Sequence, residues 1–478
     1  MVYDILIEIG IAVLLIYLPL AFGGMAEGTL PLMELWIALL MVIWLFKAFA
    51  HRHQDRHHPD LPKEMSAVRV VSSPIWLPCG LLLGLILLQC LPLPQLAIRW
   101  LSPATYRLYA DAAATINVPL PAFLPLSVCS YATMTEWREL LAYIMVFALM
   151  VHNIRSPRQI RRLALLIIAV GLFESLYGMV EYFSGRHQIF FIKKTASLMV
   201  SGTFVNKNHF AGYLELVIPL AFSVLFARLN ERSQASSKWF IRVFDEKYMK
   251  ILLTSFILLI LIAGLFLSGS RGGIISFTGG MACLLLISFQ QRHLRKKTFV
   301  VLCLFLFAGV IAFTLGHDAL IKRLQTLQNL DADTSLQLRL NYWSDALTIT
   351  RHFPAFGSGF GTFAHIQPMY QRIPSELTVE YAENDYLQTL SETGIFGMIL
   401  VLSIILLYVR STWSAWKRQQ SRWAIILTAG GFSALCSLLI HSAMDFNLQI
   451  PSNACLFTVI AAMTTIAAHS RRRLHSSS

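Results

Sequence analysis

Charged residues are scarce. Asp, Glu, Lys and Arg make up 14% of the 478 residues, and hydrophobic residues 56%, whereas a soluble domain averages about 25% charged. That deficit excludes a water-soluble globule, and it excludes a disordered chain, whose composition leans the other way. Cysteine is too sparse and too badly placed for a disulfide scaffold. There are seven, an odd number, and Cys79, Cys283, Cys303, Cys436 and Cys455 fall inside apolar blocks, where thiols behave as small buried hydrophobes. Cys90 and Cys129 are the one pair placed to meet, although two free thiols are the simpler reading. No CxxC pair and no Cys/His grouping has the spacing of a zinc site. The run HRHQDRHH at 51–58 reads as a solvated basic loop rather than a metal site. The sequence therefore calls for no metal and no cofactor.

What the chain has in abundance is apolar blocks near 20 residues long, the length that crosses a hydrocarbon core about 30 Å thick. This predicts an all-α polytopic membrane protein with about twelve transmembrane helices, near 5–22, 31–50, 75–95, 138–152, 163–181, 209–227, 250–267, 274–290, 298–316, 391–409, 423–441 and 453–468. The fourth is short. The first has no basic flank or cleavage site and reads as a retained span. With both termini inside, the inner segments and their flanks hold 26 of the 39 Lys and Arg, the bias expected of cytoplasmic loops. The net charge of +13 is thus a topology signal and does not imply nucleic acid.

Three outer segments exceed what a connection requires: 96–137, 182–208 and 317–390. The last carries eight acidic and five basic residues, and LQLRLNYWSDALTI within it has helical spacing suited to the membrane surface. Long structured loops usually carry function.

Polar features gather at these outer ends. In GTFVNKNHFAGYLEL (202–216), Lys207, Asn208 and His209 stand at the mouth of the sixth span. Glu215 lies about two turns deeper, where an ionised carboxylate costs roughly 2.5–3.5 kcal/mol and calls for a partner. A polar cap accounts for part of this, but three consecutive polar residues exceed a cap's needs. In LSGSRGG (267–273), Arg271 sits among small residues that let an anion approach, and its guanidinium can clamp a phosphate bidentately; an interfacial snorkelling Arg fits the same residues. AFGSGFGTF (355–363) lacks the context of a nucleotide loop and reads as a turn shaping a site. YAENDYLQTLSETGIFG (381–397) places Glu383, Asn384 and Asp385 together at the mouth of the tenth span, where a carboxylate can act as general base or simply favour a helix N-terminus. In HSAMDFNLQIPSN (441–453), His441 and Asp445 are one turn apart and suited to hold each other. Glu174 and Glu181 add two acidic positions on one helix face.

Taken together, GTFVNKNHFAGYL, LSGSRGG, RLNYWSDAL with FPAFGSGFGTF, and ENDYLQTLSETGIFG resemble the O-antigen ligase and polymerase superfamily over residues 165–450. The last motif matches the family spacing at Asn384, Gly394 and Gly397, but Glu383 stands where the ligase pattern has His. Lys207 stands where many relatives carry Arg. The resemblance implies a GT-C-like glycosyltransferase architecture with a large periplasmic loop (317–390), N-terminal helices at 1–162, a core at 163–450, and a last helix with basic tail at 451–478.

It also implies an inner-membrane, metal-independent, inverting glycosyltransferase that moves a glycan from undecaprenyl pyrophosphate to an acceptor at the periplasmic face. The partners are the lipid-linked donor, membrane lipids, and an acceptor that is lipid A–core for a ligase, a growing glycan for a polymerase, or a protein hydroxyl. In that frame Glu383 is the base and Arg271 meets the pyrophosphate. Lys207, Asn208, His209, Arg339, Asn384, Asp385 and His441 bind substrate. A polysaccharide-intermediate transporter also suits twelve spans, but the polar residues cluster at one face with no repeated pair of broken helices at mid-depth.

Overall fold

A chain in hydrocarbon must satisfy its own backbone polar groups, and helices do so within one segment. The computed structural model, which describes residues 2–57, 73–186, 188–193, 199–230, 246–290, 334–373 and 379–470, is accordingly helical, and the protein is a multi-pass membrane protein. Among the described residues nine helices are long and apolar enough to cross a bilayer. They are α1 (Val2–Leu20), α2 (Thr29–His57), α7 (Pro157–Phe183), α8 (Lys207–Asn230), α9 (Glu246–Leu267), α10 (Arg271–Phe289), α13 (Asp385–Lys417), α14 (Arg422–His441) and α15 (Pro451–His469). The ninth expected span (298–316), residues 317–333 of the large loop and the side chains of the 51–58 run lie outside the described residues.

Two expected spans take different forms. The third is α3 (Trp76–Cys90), 15 residues long, because Pro92 and Pro94 cannot extend a helix beyond Cys90. The fourth is the second half of α6 (Ser130–Asn153), a helix of 24 residues whose first half carries Glu136, Arg138 and Glu139. Cys90 and Cys129 are free thiols.

Helices α8 and α14 form the centre. Helix α14 packs on α10, α8 and α15, and α8 also on α9. Lipid tails give no hydrophobic drive between helices, so small residues set the close approach. A Cβ on Gly430 would come within 1.8 Å of Ser223 Oγ. Ser433 Oγ donates to the Gly280 carbonyl over 2.6 Å, tying α14 to α10.

One end of the bundle is covered by short elements. Helices α4 (Gln95–Leu101) and α5 (Pro103–Thr115) are bracketed by a two-stranded ribbon, Leu93–Pro94 with Phe123–Leu124. A second ribbon pairs Gln188–Ile189 with Ile192–Lys193. The large loop contributes α11 (Thr334–His352) and α12 (Phe363–Tyr370), and α11 contains the expected LQLRLNYWSDALTI helix. These share a small apolar core of Ile349, Phe353, Phe363 and Ile366, against which Leu108 of α5 packs.

Helix α13 is broken at Gly394, whose φ of 64° and ψ of −167° leave the α region. The broken turn finds its partners in the glycine-rich loop. Ile395 N–H donates to the Pro354 carbonyl at 2.9 Å, while Ser358 and Gly359 N–H donate to the carbonyls of Ser391 and Glu392 at 3.0 Å each. Gln89, fully buried on α3, donates to the Glu392 carbonyl at 2.9 Å and accepts from Phe360 N–H at 3.0 Å. The first two turns of α13 are thus aimed by residues 354–360, not by the membrane portion of the helix.

Candidate functional site

The start of α13 is where the expected residues meet. Asn384 is its N-cap, its Oδ1 accepting from the N–H groups of Tyr386 and Leu387 at 3.0 and 3.1 Å. Its Nδ2 donates to the Ala443 carbonyl at 2.8 Å. Glu383 precedes the cap with a φ of 53°, the left-handed region that costs an L-residue roughly 1–2 kcal/mol. Trp343 Nε1–H holds it there by donating to the Glu383 carbonyl at 3.1 Å.

Arg339, one helical turn before Trp343 on α11, donates through Nε and Nη2 to Glu383 Oε2 at 3.2 and 3.1 Å. Its Nη2 also lies 3.2 Å from Asp445 Oδ2. Asp445, 1% exposed in its side chain, is the hub. Asn208 Nδ2 donates to Oδ2 at 2.8 Å, and His209 Nε2 stands 3.4 Å from Oδ1. Burial opposes a charge on Asp445, but His209 at 3.4 Å and the nearby His441 and Arg339 outweigh it and hold its carboxyl well below the ordinary range. Glu383 moves the other way. Burial and then the Asp445 charge push its pKa up, with Arg339 only partly offsetting them.

Of the remaining expected residues, His441 does not pair with Asp445. Its Nδ1 lies 2.9 Å from Oε1 of Glu215, and Ser437 Oγ donates to the other Glu215 oxygen at 3.1 Å. Glu215 points across to α14, so the partner that a carboxylate at depth requires is His441. Arg271 opens α10, where Ser270 caps Gly273 N–H at 3.1 Å. A Cβ on the next residue, Gly272, would meet His441 Nε2 at 2.9 Å, so His441 joins α14 to the start of α10. Lys207 opens α8 beside Asn208. Asp385 turns away from Arg339. Its Oδ2 accepts from Leu448 N–H at 3.1 Å, and it lines an apolar cavity of about 1000 Å³ between α3, α6, α13 and α14.

Two acidic positions are structural. Glu174 accepts from Thr203 N–H and Oγ1–H, both at 2.8 Å, and Glu181 accepts from Gln188 N–H at 3.2 Å. The sequence reading missed Trp343, whose signal was its spacing of four from Arg339 on one helix face. It also missed Asp445 as the common partner of the cluster, since no local spacing points from Asp445 to Asn208.

Residues 256–402 match the family model described as O-antigen ligase. The match takes in Arg271, Arg339, Glu383, Asn384, Asp385 and the break at Gly394; it is narrower than the 165–450 over which the motifs bear the resemblance. An uncharacterized protein of Haemophilus influenzae is 27% identical over 177 residues, covering 34% of this chain and 44% of that protein. The chain therefore spans less than half the length of that relative.

Proposed function

We propose that the protein is an inner-membrane glycosyltransferase of the O-antigen ligase type, transferring a glycan from undecaprenyl pyrophosphate to a lipid A–core hydroxyl at the periplasmic face. The observation that carries this reading is that Glu383 and Arg339, brought together by the fold, both lie in the segment matching the O-antigen ligase model.

In this reading Glu383 is the general base. Its carboxylate removes the acceptor hydroxyl proton as that oxygen bonds to the anomeric carbon. The bond from that carbon to the pyrophosphate oxygen breaks from the opposite face, which inverts the configuration. Undecaprenyl pyrophosphate leaves, and the proton stays on Glu383. A carboxyl whose pKa is raised above the ordinary range is a stronger base than a solvated one. Arg339 and Asn384 fix its position; Arg271, with Lys207, meets the charge that develops on the leaving pyrophosphate. Asn208 and His209 hold Asp445 and through it Arg339. His441 holds Glu215, and Asp385 lines the apolar cavity.

The test is the glycan profile of a deletion strain. Loss of capped lipopolysaccharide with build-up of lipid-linked polymer is the expected result. Shortened but still attached chains would instead assign a polymerase, and an unchanged profile would remove both.

A further inference from the structure

Arg271 is followed by two glycines, and the space a side chain would take at each is filled by another helix. A Cβ on Gly272 would fall 2.9 Å from Nε2 of His441. One on Gly273 would fall 3.2 Å from Oε1 of Glu215 and 2.7 Å from the Ala211 Cβ. Glycine weakens a helix, so its place in the first turn of α10 is explained by this close approach. The imidazole comes from the last residue of α14 and the carboxylate from α8. They face each other at 2.9 Å, with 1% and 0% of their side chains exposed.

Three helices thus meet on one backbone turn. The contact continues along α10, where a Cβ on Gly280 would fall 2.7 Å from the Ser437 Cβ. Ser437 Oγ is the hydroxyl that donates to the second Glu215 oxygen at 3.1 Å. The start of the turn is fixed separately: Gly273 N–H donates to Ser270 Oγ at 3.1 Å, and Ser270 N–H to Ser268 Oγ at 3.2 Å.

Two aliphatic side chains would fill the same space. A buried ion pair adds little stability over such a replacement, and its best-attested use is to select one arrangement. Here the carboxylate beside Nδ1 sets how the ring is turned, and the ring's other edge sets where Gly272 can lie. Arg271 is the next residue back along the chain, so whatever fixes Gly272 fixes the direction in which the guanidinium leaves α10. A bidentate phosphate clamp depends on that direction, because the guanidinium is a rigid planar fork.

We infer that His441 and Glu215 are positioning residues for Arg271, holding the first turn of α10 so that the guanidinium presents its fork to a pyrophosphate. This rests on the reading in which Arg271 meets the leaving pyrophosphate.

The test measures farnesyl pyrophosphate binding by the full chain in lipid nanodiscs, using titration calorimetry. The double variant Glu215→Leu with His441→Leu replaces the pair without stranding a buried charge. Gly272→Ala pushes the same turn away from His441 with every charge kept. Each should weaken binding about tenfold, the effect of losing one hydrogen bond to a charged group. Glu215→Gln, which still accepts from the imidazole, should keep most of the affinity. In an Arg271→Lys background neither change should weaken binding further, since a flexible point charge needs no fixed direction. Equal losses in the Arg and Lys backgrounds would show a merely structural role, because independent effects add, and would overturn the inference. So would wild-type affinity in both the double variant and Gly272→Ala. Wild-type affinity in Arg271→Ala would remove Arg271 from the pyrophosphate and the inference with it. Coupled losses in a chain that transfers no glycan would keep the positioning and remove the transferase.

Discussion

Asn208 Nδ2 donates to Asp445 Oδ2 over 2.8 Å, joining residues 237 apart in the chain. Through this bond the first turn of α8 is tied to the turn that follows α14, and Arg339 reaches the same carboxylate oxygen. A buried carboxylate shared by an amide, an imidazole and a guanidinium sets where the guanidinium lies, and Arg339 in turn sets where Glu383 lies.

Glu383→Gln keeps size and hydrogen bonding but removes the proton acceptor. Transfer by the purified enzyme should fall by about 10²–10⁴, the usual loss for a general base, with donor binding retained. Glu383→His should recover part of the rate, and that rescue should fade below about pH 6.5, where an unperturbed imidazole is protonated. Normal turnover in the Gln variant would reduce Glu383 to a helix-flanking acid.

Arg339 lowers the pKa of Glu383, against burial and Asp445. Arg339→Ala should therefore raise that pKa further and move the acid limb of the kcat/KM profile to higher pH, because the base must be ionised to act. Arg339→Lys should shift it less. A limb that stays in place would separate Arg339 from the titration of Glu383.

Arg271→Ala should abolish transfer while the protein still inserts and melts normally. Arg271→Lys should restore part of the rate, since a point charge cannot form the bidentate fork. Transfer at the wild-type rate in the Ala variant would mark Arg271 as an interfacial anchor.

The two carboxylates of the cluster should affect stability with opposite signs. Asp445, depressed in the fold, contributes stability that is present above its unfolded value of 3.8 and is lost as pH falls below it. Glu383, raised in the fold, contributes stability present below its unfolded value of 4.5 and lost as pH rises through its folded pKa. Melting curves of Asp445→Asn should lose the acid-side decline. Near neutral pH the same variant should be less stable by about 3 kcal/mol, the loss typical of breaking a buried ion pair. An unchanged acid limb would mean Asp445 is not held ionised.

Gly394→Ala should be destabilising, because a Cβ there would fall 2.3 Å from the Ala355 carbonyl oxygen at a φ of 64°. Thermal unfolding should reveal a loss of roughly 1–3 kcal/mol from the backbone term alone. Tolerance of alanine would mean that the glycine-rich loop yields readily.

The span pattern was legible because hydrocarbon imposes one length and one composition on every helix that crosses it. Glu383, Asn208 and His209 were legible as polar residues at helix mouths, and Arg339 as a cation within the RLNYWSDAL stretch of the large loop. The pairing of Glu215 with His441 was not, since His441 is equally spaced for Asp445 and only the packing of α8 on α14 decides between them. Gln89, Glu136 and Glu139 were passed over for a different reason. They sit inside or beside apolar runs that satisfy the length criterion without them, though a polar residue in such a run is itself the signal. The break in α13 lay in the motif as Gly394, but its partners, residues 354–360 and Gln89, come from distant parts of the chain.

The bond between Gln89 and the Glu392 carbonyl has a consequence for how the protein is made. Its two ends are separated by 303 residues, which a ribosome working at about 5–20 residues per second needs roughly 15–60 s to deliver. For that interval the Gln89 amide, one residue from the end of α3, lacks its native partner. The early helices must therefore wait for the late ones, and the end of α13 that carries Asn384 and Asp385 takes its final direction only when both halves of the chain have been inserted.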